Sequence, residues 1–187
     1  MGQAFPDDKR AILAALKEQY GRIQYTYTTH LKEAHILANR NSRLKWIDIV
    51  LSAVTTGGVL GVIFTDNTHY EIISCIASAI LLVISLFSKE ARLAERSVEH
   101  KEFANKLWLV RERYVGLMTD VPVLEYQNIC AARDSLQAEL SMLYAHEPLT
   151  SRRSYKLAQK ALKVEEEQYF EKEELDRMLP KHLRDSK

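Results

Sequence analysis

The chain has 187 residues, 27% of them charged, and a formal net charge of +1. That balance excludes a nucleic-acid binder working by bulk electrostatics, which needs a basic face or tail. The charge is uneven: residues 1–45 hold 8 Lys or Arg, residues 89–187 hold 18, and residues 46–88 hold none. Cys75 and Cys130 stand far apart and form no disulfide framework, which fits a reducing compartment. The N-terminus has no basic region followed by an apolar run, so no signal peptide is read. Gly2 allows N-myristoylation only superficially, because Pro6 stands where the motif wants Ser or Thr.

Pro6-Asp7-Asp8 is a helix start, with acids in the first turn. From there Leu13, Leu16, Tyr20, Ile23, Tyr27, His30, Ala34, Leu37, Asn41 and Leu44 recur at alternating spacings of three and four. That is a coiled-coil seam, and its next position is Asp48. Asn41 on a seam is a register-setting residue type. One long N-terminal helix over residues 7–45 is predicted.

Two apolar stretches follow, Trp46–Phe64 and Tyr70–Phe87, each with a single charge, Asp48 and Glu71. At about 1.5 Å per residue the first is roughly 28 Å long, close to the roughly 30 Å hydrocarbon thickness of a bilayer. Between them lies Thr65-Asp66-Asn67-Thr68-His69, enough for an antiparallel turn. Trp46 and Tyr70 stand where interface aromatics belong. Arg40, Arg43 and Lys45 precede the hairpin, and Lys89, Arg92 and Arg96 follow it, while the turn has no Lys or Arg. The positive-inside rule then puts both termini in the cytoplasm. A soluble bundle with a buried central hairpin is the alternative; it would need apolar cover that the charged remainder does not readily supply.

Beyond the hairpin, residues 88–118 are predicted to continue span two as a helix with a stripe of Phe103, Leu107, Val110, Tyr114 and Leu117. Asp120-Val121-Pro122 breaks it. Residues 123–145 form the next helix, with Ile129, Ala132, Leu136, Leu140 and Leu143 on one face. After Glu147-Pro148, residues 154–170 form another, capped by Ser151 or Ser154. A short acidic helix over 171–179 ends at Pro180. The predicted fold is an all-α membrane protein: an N-terminal helix (1–45), a transmembrane hairpin (46–87) and a cytoplasmic helical region (88–187), joined as one unit.

Small residues line one face of span one, Ala53, Gly57 and Gly61, and span two carries Ser74 and Ser78. Such faces let helices approach closely, either within the hairpin or between subunits. Ser52, Thr55, Thr56, Ser74, Ser78 and Ser85 make a partly polar stripe. It lines water in an oligomer, or bonds back to helix carbonyls in a monomer. Asp48 and Glu71, at the starts of their spans where the helix dipole favours an anion, are candidates for a pore mouth or simply interfacial acids. His30 and Glu33 alone are a weak metal signal, and Cys130 reads as structural. No nucleophile elbow, phosphate loop or zinc motif occurs, so neither an enzyme nor a cofactor is expected. Glu165-Glu166-Glu167 with Glu171, Glu173 and Glu174 is an acidic patch. Lys156, Lys160 and Lys163 make a basic stripe just before it.

The segment Tyr25–Ile47 (YTYTTHLKEAHILANRNSRLKWI), the two spans with their five-residue turn, and the charged helices after them resemble the SLATT family of bacterial two-transmembrane effectors. The ending VEEEQYFEKEELDRMLPKHLRD, Val164–Asp185, is similar to the subgroup encoded beside reverse transcriptases. The resemblance implies anti-phage defence: a reverse transcriptase or nucleotide synthase encoded nearby activates the protein. It then oligomerises in the lipid bilayer and permeabilises or depolarises the inner membrane. A membrane-anchored adaptor that recruits a cytoplasmic partner is the rival expectation. Direct nucleic-acid binding is not expected.

Overall fold

The computed structural model describes residues 7–65, 68–180, 182 and 184, and among them the regular structure is helix, with no strand. The predicted Pro6 start signal and the turn residues Asp66 and Asn67 lie outside the described residues. Six helices follow in order: α1 (Asp7–Thr65), α2 (Thr68–Ala91), α3 (Leu93–Asp120), α4 (Tyr126–Tyr144), α5 (Arg152–Lys163) and α6 (Lys172–Met178).

Helix α1 runs 59 residues without a break. The predicted boundary at residue 45 is therefore a change of surroundings, not of backbone. An α-helix satisfies its own N–H and C=O groups, so passing from polar to apolar surroundings costs it no hydrogen bond. This corrects the placement of Asp48 at a helix start: it sits deep inside α1, where no terminal dipole acts on it. Glu71 does lie in the first turn of α2.

The predicted seam is the buried edge of α1. Leu16, Ile23, His30, Ala34 and Leu37 are buried, and Leu13, Tyr20, Tyr27, Asn41, Leu44 and Asp48 are half-buried. The three-four rhythm then goes on through Leu51 and Thr55 to the buried Gly58.

The opposite strand of the structure is α2 followed by α3. The two are not one helix, as predicted, because Arg92 between them adopts a left-handed conformation (φ 45°, ψ 38°). A non-glycine residue there costs roughly 1–2 kcal/mol. The pairing with α1 nevertheless keeps step across the break. Lys9 Nζ donates to the Leu124 carbonyl, His30 meets His100, and Ser97 donates to the Ala34 carbonyl. Further along, Asp48 meets Ser85, Gly58 meets Ser74 and Gly61 meets Tyr70. The residue number rises on one side as fast as it falls on the other, so α1 and α2–α3 form one antiparallel pair in a single register.

Helices α4 and α5 complete a helical body at the end away from the hairpin turn. Its core joins Ile12, Leu16 and Ile23 of α1 to Leu107, Val110 and Tyr114 of α3 and to Ile129, Leu136 and Leu140 of α4. The predicted stripes of α3 and α4 are these residues. Helix α5 is shorter than predicted. It ends at Lys163 and gives way to an irregular strap in which Glu166 and Gln168 have positive φ. Ser151 is its N-cap, accepting a hydrogen bond from the Ser154 backbone N–H.

Candidate functional site

The hairpin of α1 and α2 is wrapped in apolar side chains that the rest of the chain leaves largely uncovered. Trp46, Ile49, Ile63 and Phe64 on α1, and Ile76, Leu82, Val83 and Phe87 on α2, are all more than half exposed. Of the most apolar 18-residue window of each helix, only 6% and 11% is buried. A hairpin forming the core of a soluble bundle would be mostly covered. Two helices long and apolar enough to cross a membrane, left open on their outer faces, have the surface a bilayer covers.

Inside the hairpin the contact surface is small and polar. A Cβ on Gly58 would lie 1.9 Å from Ser74 Oγ and 3.2 Å from Ser74 Cβ, so any larger residue there must displace the Ser74 side chain. A Cβ on Gly61 would lie 3.0 Å from the Tyr70 ring. Ser74 and Ala77 are the buried residues of α2. Of the predicted packing residues, Gly61 and Ser74 therefore lie in the hairpin contact. Ala53, Gly57 and Ser78 face outward, and nothing comes within 4 Å of a Cβ on Gly57. The reason is periodicity. The contact follows the seam, which reaches Gly58, while Ala53, Gly57 and Gly61 drift round the helix at four-residue steps.

The polar candidates separate in the same way. Ser85 donates its hydroxyl to Asp48 Oδ1 across 3.0 Å. Thr56 bonds back to the Ser52 carbonyl, and both residues are exposed. The hydroxyls of Thr55 and Ser74 are buried without a hydrogen-bond partner. Asp48 lies toward the helical body and Glu71 beside the turn, and Thr65 at the end of α1 is 17 helical steps beyond Asp48. At the helical rise that is roughly 25 Å. The two acids mark opposite ends of the hairpin and cannot belong to one ring of charge.

Where the hairpin's register enters the body, a buried polar chain crosses between helices. His30 of α1 and His100 of α3 face each other with Nδ1 atoms 2.9 Å apart, and His30 Nε2 lies 3.1 Å from Glu147 Oε1. The Glu147 carboxylate only accepts, so neutral His30 carries its proton on Nε2. Its Nδ1 then accepts from His100 Nδ1–H. Burial holds both imidazoles below their ordinary pKa, with His30 and His100 also opposing each other's charge at His100. Phe103 closes the site, its ring centroid 4.5 Å from that of His30.

One turn along α1, Glu33 Oε2 accepts from the Ser151 hydroxyl at 2.5 Å and from its backbone N–H at 3.1 Å. Burial pushes the Glu33 carboxyl up, but these hydrogen bonds, with Ser154 alongside, outweigh it and hold the pKa below the usual value. Glu33 thereby fastens the start of α5 to α1. Among the described residues, no three His, Cys, Asp or Glu side chains are arranged to hold a metal.

The sequence reading singled out His30 but missed His100, Glu147 and Arg111. His100 was reachable: it is the next step back along the Phe103–Leu107–Val110 stripe. Arg111 lies flat on Trp108, 3.7 Å from its ring centroid, and donates to Gln24 and Gln168. With Lys32 bonded to Glu167, it ties the strap after α5 to α1 and α3.

No curated protein and no solved structure matches the chain. The model of one family does, over residues 12–174, from the first turns of α1 to α6. That match covers the seam, both open apolar helices and the body that continues their register, and the chain belongs to the SMODS and SLOG-associating 2TM effector domain family, family 4.

Proposed function

We propose that the chain is a membrane effector of bacterial anti-phage defence. A partner enzyme encoded nearby, a reverse transcriptase or nucleotide synthase, or its product, activates it. It then assembles in the inner membrane and permeabilises or depolarises it. Both termini lie in the cytoplasm, on the side marked by Arg40, Arg43 and Lys45 before the hairpin and Lys89, Arg92 and Arg96 after it. Membership of an effector family supports the reading, and no catalytic role is assigned to any residue.

The observation that carries the mechanism is the single register of α1 with α2–α3. A helix that runs unbroken from the buried His30 site to the hairpin turn transmits an axial shift or rotation of the body to the membrane end. Only the left-handed Arg92 interrupts the opposite side. In the assembled state, the outward small face of Ala53 and Gly57 packs against neighbouring subunits. Ser52 and Thr56 then line the path, with Asp48 and Glu71 at opposite mouths. Dye or ion leakage from liposomes containing the purified protein and its activating partner tests this. Vesicles that stay sealed and polarised under those conditions would refute it.

A second reading, an anchored adaptor, is favoured by one feature. The hydroxyls of Thr55 and Ser74 and the Asp48 carboxylate all turn into the hairpin of the single chain and leave its outer surface largely apolar. Exchanging residues 46–87 for an unrelated two-span hairpin separates the two. An adaptor keeps its protective activity and an effector loses it.

A further inference from the structure

Helix α5 buries Ser154, Ala158 and Ala161 against α1 and turns Arg152, Arg153, Lys156, Lys160 and Lys163 outward. It contains no acidic residue. Arg152 and Arg153 occupy its first turn, where the helix dipole disfavours cations, so local helix energetics does not account for them. Among the described residues only Lys160 of these five has a salt-bridge partner, Glu165.

The complementary surface stands on the same chain. Helix α6 has no buried residue. It presents Glu173 and Glu174 beside Leu175 and Met178, which are 47% and 60% exposed. The strap before it is tied to α1 and α3 through Lys32, Gln24 and Arg111. Of the α5 cations only Lys160 reaches back to that strap, at Glu165, so Arg152, Arg153 and Lys156 have no acidic partner on their own chain among the described residues.

We propose that α6 of one copy docks on the outward face of α5 of a second copy. Glu173 and Glu174 meet Arg152, Arg153 and Lys156, while Leu175 and Met178 cover the exposed Leu157 beside them. The contact joins unlike surfaces, so repetition closes a ring or extends a filament. It brings hairpins side by side without asking the apolar spans to find one another first. The inference rests on the proposed self-association and names the contact that makes it.

Charge exchange tests it on the full chain in detergent micelles, with two differently labelled copies and mass measured at low salt. The tail variant Glu173→Lys/Glu174→Lys and the helix variant Arg152→Glu/Arg153→Glu/Lys156→Glu should each self-associate about tenfold more weakly, or worse, than the parent. A mixture of the two variants, or a chain carrying both sets, should recover association. About 1 M salt should weaken the parent as well, since screening then acts within roughly 3 Å. Undiminished association in each variant taken alone overturns the proposal and assigns assembly to the spans. Failure of the combined set to recover overturns it too, and a fluorescent oligonucleotide bound by the parent but not by the helix variant would then identify another anionic occupant. Liposome leakage is scored separately. Leakage that persists with unchanged mass removes the docking contact and leaves the pore, whereas charge-dependent assembly without leakage does the reverse.

Discussion

Ser85 Oγ donates to Asp48 Oδ1 across 3.0 Å, joining two residues 37 positions apart on the two arms of the hairpin. The bond stands where the α1 seam passes from the helical body into the apolar segment. A carboxylate at that depth is expensive unless it is hydrogen-bonded or reaches water. The serine supplies one partner and ties the charge to the register of the pair.

Ser85→Ala should therefore cost about 1.5–3 kcal/mol, the range for a hydrogen bond to a charged group. Asp48→Asn should cost less, because the amide oxygen still accepts from Ser85 and the charge is gone. Thermal unfolding in detergent measures both. An Asp48→Asn variant less stable than Ser85→Ala would show that the carboxylate is held by something other than Ser85.

Gly58 gives a sharper test of the hairpin contact. A Cβ there meets Ser74 Oγ at 1.9 Å and Ser74 Cβ at 3.2 Å, but the next atom, the Tyr70 carbonyl oxygen, is at 3.4 Å. Gly58→Ala should destabilise the hairpin by about 1–3 kcal/mol, as overpacking does. Adding Ser74→Gly removes both close atoms and should restore most of the loss. Gly57→Ala, with open space around its Cβ, should leave the hairpin's stability unchanged. If Gly57→Ala and Gly58→Ala behave alike, the contact does not follow the seam.

Much of this architecture was legible in the sequence because one rhythm governs it. The three-four spacing from Leu13 to Leu44 named the buried edge of α1, and the lack of Lys and Arg from residue 46 to 88 marked the hairpin. Gly58 was missed because a four-residue motif was read where the seam governs the contact: continuing the seam from Asp48 leads to Gly58, not Gly57. The His30–His100 contact was hidden for another reason. Its members are 70 residues apart, and only the antiparallel register brings them together. The end of α5 at Lys163 carries no Pro or Gly to announce it. The strap there is shaped by Arg111 and Lys32, contacts that local sequence does not encode.

The buried histidines predict a pH dependence with a definite sign. Both pKa values lie below the ordinary 6.5, first because burial disfavours the cation. Below pH 6.5 the unfolded chain therefore takes up protons that the folded chain resists. Stability is complete above that pH and falls as the pH drops toward the folded-state values. Glu33, also depressed, loses its contribution only at lower pH, below its ordinary 4.5. Chemical denaturation between pH 7.5 and 5 should show a decline for the parent and a flatter profile for His100→Asn. Equal slopes for the two would exclude the His pair as the origin.

Arg111 is the side chain that holds the strap to α3, and its loss should be visible locally. Arg111 is only 11% exposed: its guanidinium stacks on Trp108, donates to the Gln24 and Gln168 side-chain oxygens and pairs with Glu112. A planar, multiply donating cation is needed for that set, and lysine cannot stack and fork at once. Arg111→Ala should release residues 164–171 while the core of Leu107, Val110 and Tyr114 stays packed. Limited proteolysis should then cut the strap first, several-fold faster than in the parent, with little change in the global unfolding transition. Arg111→Lys should rescue little of this, because the charge alone does not hold Gln168. If the lysine variant protects the strap as well as arginine does, the attachment is electrostatic. The acids Glu165 and Glu167 would then hold it, rather than the stacked guanidinium.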